Sequence, residues 1–368
     1  VTARRPTLDR ALAEALIVVC VGSGGVGKTT TAAVIGLEAA RRGRRVVVVT
    51  IDPAKRLADA LGLTDGLSSV PARIALGDTT GELWATMLDT NAAFDAIVRR
   101  YAASEQQAER ILANRFYRNI AGALSGTQEY MAAETLYDLH DDDRFDLVVV
   151  DTPPSRHALD FLEAPGVLVR FLDHRVFKLL MLPARSGLKV MNVAAQPILK
   201  AIGRVVGSDV LADAVAFFQS FAGMEGGFRD RAREVMTLLT SEQTRFVLVA
   251  SPRHDTITEA VWFAQELTAR RHEVNAAIVN RTQPRFGAIT VDEALAGAAS
   301  AAVAGHPDLA ALWTNIAELR ELADREDEVL APLVEQLDGA PLVAVPLLGS
   351  DVHDLGGLAE IGRHLFSE

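Results

Sequence analysis

Gly22-Ser23-Gly24-Gly25-Val26-Gly27-Lys28-Thr29 follows an apolar run at 16–21 and opens a stretch, 28–42, that reads as one helix closed by Gly43. The spacing G-x-x-x-x-G-K-[ST] between a strand and a helix constrains the fold more than anything else in the chain. It works at the edge of a sheet, where glycines let consecutive N–H groups turn inward and a helix N-terminus adds partial positive charge. The backbone of Gly24, Gly25, Val26 and Gly27 would then wrap a phosphate chain. Lys28 would reach the β- and γ-phosphates of a nucleoside triphosphate, the Thr29 hydroxyl would ligate magnesium, and Thr30 would add a hydrogen bond. The letters also fit G-x-G-x-x-G at Gly22, Gly24 and Gly27 with Asp52 downstream, a dinucleotide pattern. That reading leaves Gly-Lys-Thr at the helix start unexplained and is the weaker one.

Short β-branched apolar runs recur at 45–51, 145–150, 245–250, 276–280 and 342–345, separated by helix-like stretches. Runs buried on both faces predict a mostly parallel central sheet flanked by helices, an α/β fold. Two segments break the rhythm. At 166–207 apolar residues recur at helical spacing (Leu168, Leu172, Val176, Leu179, Leu180), and 291–338 also reads as helical. The expected organisation is an N-terminal segment 1–15, a nucleotide-binding domain from 16–165 and 240–368, and an inserted helical subdomain at 166–239.

Two acids stand where apolar strands end. Asp52 closes Thr50-Ile51-Asp52-Pro53, where a carboxylate would position the attacking water, and it would also cap the helix that Pro53 opens. Asp151 closes Leu147-Val148-Val149-Val150-Asp151, where it would hold the waters of a magnesium ion.

At this point the chain resembles a known family. The phosphate loop, Asp52-Pro53-Ala54, and Asp151-Thr152-Pro153-Pro154-Ser155-Arg156-His157 together look like the arsenical-pump ATPases (ArsA), P-loop NTPases of the SIMIBI type. That family includes the eukaryotic ATPase that targets tail-anchored membrane proteins and shares a deviant Walker-A loop with ParA and MinD proteins. Asn280, in Val279-Asn280-Arg281, is similar to the family's adenine-contacting asparagine. Pro346, in Val345-Pro346-Leu347-Leu348, is similar to its base-flanking loop. The Thr127-Gln128-Glu129-Tyr130-Met131 stretch has close counterparts in actinobacterial anion-transporting members. The resemblance implies a dimeric ATPase using ATP and Mg2+, with the segment after Asp151 as a switch sensing the γ-phosphate.

The chain departs from the family at two positions, one in the phosphate loop and one in the switch. Ser23 stands where the family has a lysine that reaches the partner subunit's phosphates, and Arg156 replaces a glycine. The first departure raises the alternative of a slow regulatory subunit acting through a lysine-containing paralogue, as a heterodimer rather than a homodimer. A single cysteine, Cys20, leaves no thiol cluster for arsenite or zinc, permits no internal disulfide, and fits the cytoplasm.

Charge bears on partners. Against 37 Lys+Arg stand 48 Asp+Glu, a net charge of −11, which disfavours nucleic acid and a ParA-like DNA-partitioning role. Yet 166–207 carries seven bases against one acid, whereas 291–338 carries eleven acids against Arg320 and Arg325. The basic, apolar 166–207 segment is therefore where an apolar protein client or a membrane surface would be met. Its plainer reading is packing within the inserted subdomain. No run of about 18 apolar residues occurs that would span a bilayer.

Overall fold

The computed structural model describes residues 7–51, 56–64, 66–115, 117, 127–153, 156–174 and 208–367. Asp52 and the 175–207 part of the basic segment lie outside the described residues.

Helix α1 (Asp9–Leu12) precedes β1 (Ile17–Val21), α2 (Lys28–Arg41), β2 (Arg45–Thr50), α3 (Arg56–Ala60), β3 (Ala72–Ile74) and β4 (Glu82–Met87). Helices α4 (Thr90–Tyr101), α5 (Glu105–Leu112) and α6 (Thr127–His140) lead to β5 (Leu147–Asp151). Then come α7 (Asp160–Asp173), α8 (Ser208–Phe221), α9 (Glu225–Leu239), β6 (Thr244–Ala250), α10 (His254–Ala269) and β7 (Val274–Thr282). Helices α11 (Val291–Val303) and α12 (Pro307–Gln336), β8 (Leu342–Pro346) and α13 (Leu355–Leu365) complete the order.

The strands form one sheet in the order β3-β4-β2-β5-β1-β6-β7-β8, parallel throughout except for β3 against β4. The six sequence-legible strands are its centre and one flank. The apolar runs of β1, β2, β5 and β6 are buried on both faces, under α2 and α13 on one side and α6, α9, α10 and α12 on the other, whereas β8 at the edge leaves Ala344 exposed. Strands β3 and β4 escape the sequence reading because β3 is three residues long and mostly exposed, and in β4 the polar Glu82 and Thr86 leave only Leu83-Trp84-Ala85 as an apolar run. Register aligns the carboxyl ends that matter: Asp151 pairs with Cys20 on one side and with Thr50 on the other.

Helix α2 ends as expected, with Gly43 at φ +91°. The 291–338 segment is a helical hairpin, α11 and α12 joined through Gly305 (φ +78°), with Pro307 opening the second helix. Trp313 lies over Gly297, where a Cβ would come within 2.7 Å of the indole.

A third core is entirely helical. It joins Ile97, Ile111, Met131, Leu172, Phe221 and Phe228 from α4 to α9, with Phe221 and Phe228 rings 5.0 Å apart. The boundary expected at residue 165 falls inside α7, which carries Pro165 within it. Leu172 belongs to this core, whereas Val167 and Phe171 of the same helix are 49% and 52% exposed.

Beside this core, Glu134 of α6 is 1% exposed and meets Arg231 of α9 at 2.6 Å. Asp138 of α6 pairs with Arg231 and, at 2.7 Å, with Arg100 of α4, while the Arg231 guanidinium stacks 3.7 Å from the centre of the Tyr137 ring. Burial raises the Glu134 carboxyl above its ordinary range, and Arg231 opposes that rise. Removing one member of a buried pair strands the other charge and costs about 3–5 kcal/mol. Arg231→Met is therefore expected to lower the urea midpoint substantially, and adding Glu134→Gln to recover much of the loss. An unchanged midpoint in the single variant would refute the cluster's structural role.

Candidate functional site

The site lies at the carboxyl edge of β1, β2 and β5, with β6 and β7 flanking it. Gly22 leaves β1 at φ +151°, and a Cβ there would fall 2.1 Å from the Val249 carbonyl oxygen of β6. Only glycine permits that approach, which seats the loop against the sheet. Gly24 and Gly25 face solvent, Val26 is buried in the core, and Gly27 turns at φ +97° into α2. No side chain caps α2, and its first turn opens at the phosphate loop, where a helix N-terminus suits an anion.

Lys28 is buried, and its Nζ donates to the Ser23 carbonyl at 2.7 Å, which holds the ammonium across the mouth of the loop. Ser23 is 6% exposed, and its hydroxyl has no hydrogen-bond partner.

Asp151 is buried at the end of β5, and its Oδ2 accepts from Thr29 Oγ1 at 2.9 Å and from Thr50 Oγ1 at 2.9 Å. Magnesium keeps most of its waters and takes one or two protein oxygens, so a threonine hydroxyl beside a carboxylate at the rim of a phosphate nest suits it. Among the described residues no group of three or more His, Cys, Asp or Glu offers an all-protein metal cage. Thr152 donates to the Cys20 carbonyl at 2.7 Å, pinning the segment after Asp151 to β1. Thr50 and Thr152 were not singled out from sequence. The available signal was a hydroxyl residue at the end of an apolar strand.

Cys20 is fully buried in β1, and burial, reinforced by the negative charge of Asp151, pushes its thiol well above the ordinary range. It is a core residue and no nucleophile.

Asn280 reaches the loop from β7. Its Nδ2 donates to the Val26 carbonyl at 3.0 Å, and the side chain lies so close to Gly27 that a Cβ there would meet Nδ2 at 2.4 Å. One amide N–H is committed to Val26, which fixes the orientation of the carboxamide and offers its oxygen as an acceptor to a ligand. Pro346 ends β8 one register step beyond the Asn280–Val345 pair, at the same edge of the sheet. The structure thus brings Gly24 to Thr30, Asp151, Asn280 and Pro346 to one edge, and Asp52 alone among the expected site residues lies outside the described residues.

Comparison with known proteins agrees with this geometry. The family model ArsA_ATPase, described as an anion-transporting ATPase, matches residues 15–287, from before the phosphate loop to beyond Asn280. A relative named ATPase get3, from Schizosaccharomyces japonicus, is 28% identical over 261 residues, covering 71% of this chain and 72% of its own length. ATPase GET3 from Malassezia globosa is 26% identical over 286 residues, covering 76% and 77% respectively. ATPase get3 from Aspergillus terreus is 28% identical over 262 residues, covering 71% of each chain. With three quarters of its length matched and the phosphate loop folded as the match requires, the chain belongs to the ArsA ATPase family.

Proposed function

We propose that this ATPase is a nucleotide-driven switch that handles an apolar client, such as a membrane-protein segment, and cycles as a dimer. The observation that carries the reading is the continuity of the chain beyond Asp151. From that carboxylate, bonded to Thr29 of the phosphate loop, it runs through Thr152 and a short 3-10 turn, Arg156–Leu159, directly into α7. On α7, Val167 and Phe171 are exposed beside Met236 of α9, which is 39% exposed and packs near Gly166. A change at Asp151 between ATP and ADP states is thereby coupled to the placement of an apolar surface.

In this reading Lys28 and the α2 N-terminus stabilise charge on the phosphates, and Asp52 orients the water for in-line attack. Thr29 and Asp151 would hold magnesium, whose chemistry when bound would be to supply positive charge beside the phosphates. The Asn280 oxygen accepts from the exocyclic amine of adenine, and Pro346 flanks the base. Guanine presents an acceptor at the corresponding position, so the fixed amide favours ATP over GTP. The site of action is cytoplasmic or peripheral at a membrane. Among the described residues no helix is long and apolar enough to cross one.

A fluorescent peptide of about 20 apolar residues, a helix of transmembrane length, tests the reading. Capture by the full chain is expected to differ between ATP and ADP and to be lost in Val167→Asp/Phe171→Asp with ATP affinity unchanged. Capture independent of nucleotide, or retained by the double variant, would contradict it. Ser23 favours a second reading, a subunit that binds ATP but turns over slowly without a lysine-bearing partner.

A further inference from the structure

We propose that Arg281 is a base-binding residue, its guanidinium lying over the face of the purine whose edge Asn280 reads. The inference rests on the ATP-binding reading above and deepens it.

Three non-glycine residues adopt positive φ among the described residues: Arg271 (64°), Asp338 (44°) and Arg281 (65°). The first two stand just beyond the ends of α10 and α12, where left-handed residues commonly close helices. Arg281 sits inside β7 instead, at the irregularity where the register with β8 passes from Asn280–Val345 to Thr282–Pro346. An extra residue in a strand next to a binding site re-aims a side chain. In a regular strand, neighbours point to opposite faces, so Arg281 would turn away from Asn280. The left-handed bulge removes that alternation.

Glycine would adopt this backbone without strain, so the arginine side chain offsets a cost that its backbone incurs. Among the described residues no contact of the Arg281 guanidinium offsets that cost. Arg281 is exposed, and its guanidinium makes no hydrogen bond or ion pair among the described residues. Its neighbour Arg285, by contrast, pairs with Asp327.

Position and chemistry favour the base over the phosphates. Asn280 already fills the flank of Gly27, and Arg281 lies one residue further along the strand, beyond the nest served by Lys28 and the α2 N-terminus. A planar, weakly hydrated guanidinium stacks well on an aromatic face, and a solvent-facing base needs a cover on one side.

Calorimetric titration of the full chain with Mg-ATP, Mg-ADP and inorganic tripolyphosphate tests the assignment. Arg281→Gly relieves the backbone, so it is expected to melt no lower than the unmodified protein. It is expected to bind ATP and ADP about tenfold more weakly, by the same factor, and tripolyphosphate unchanged. Arg281→Lys, which keeps the charge and loses the plane, should fall between. Unaltered ATP affinity in Arg281→Gly overturns the proposal and leaves the ATP reading standing. A parallel loss for tripolyphosphate also overturns it, because the side chain would then serve the phosphates. Failure of the unmodified chain to bind ATP overturns both.

Discussion

Lys28→Ala is expected to abolish tight ATP binding, lowering affinity by at least about a hundredfold, the loss of a desolvated, charge-assisted contact to phosphate. The ammonium is buried and held at 2.7 Å from the Ser23 carbonyl, so little side-chain freedom is lost when phosphate arrives. Alanine at this position keeps the α2 helix, since it is the best helix former and the first turn has no side-chain cap to lose. The variant is therefore expected to stay folded and lose only its ligand. Thermal melting separates the two effects: saturation at about a hundred times Kd stabilises a binding-competent protein by about 2.7 kcal/mol, and the variant should gain nothing from the same ATP concentration. A melting temperature that still rises with ATP would displace Lys28 from the phosphate site. Lys28→Arg is a useful companion, because it keeps the charge but needs room that the bond to Ser23 does not leave.

Much of this site could be read before the fold was known, and the reason is local. A phosphate loop is a continuous stretch of chain, so strand, glycines, lysine and helix start are adjacent in sequence. The central strands were equally legible, because burial on both faces leaves no polar position to blur the pattern of β1, β2 and β5. What escaped is long-range or half-buried. Nothing in Thr50 announces that its hydroxyl will meet Asp151 a hundred residues later; only the β2–β5 register decides it. The helical core draws Ile97 and Ile111 to Leu172 and Phe228, and stripes at helical spacing cannot say which helices share a core. Leu172 illustrates the limit: the same periodicity that marked it as a candidate client contact makes it core, while Phe171 beside it faces outward. Asn280 was reached through family resemblance. The bulge after it had no signal at all, since the left-handed residue is an arginine rather than a glycine.

Ser23→Lys is expected to raise ATP turnover, by roughly tenfold at least and up to about a thousandfold, the scale of a cation supplied in trans to a transferring phosphoryl group. Serine at this position is buried with an unpartnered hydroxyl, so a lysine can be accommodated only by sending its stem out of the loop. In a lone chain that is unfavourable, and the variant should be slightly less stable than the parent. In a dimer whose loops face each other, the same ammonium reaches the partner's phosphates, and its stabilisation grows as charge builds in the transition state. The dependence on concentration distinguishes this from any effect in cis: specific activity of the variant should rise with protein concentration and saturate, whereas the parent should stay slow throughout. Mixing the parent with a lysine-bearing relative should accelerate hydrolysis in the same manner, because one donated cation serves the other subunit's nucleotide. Fast turnover by the unmodified chain alone would remove the need for a trans cation. Equal rates for parent and variant, both with ATP bound, would place the rate-limiting charge elsewhere, and the basic residue Arg156 of the segment after Asp151 would be the next position to vary.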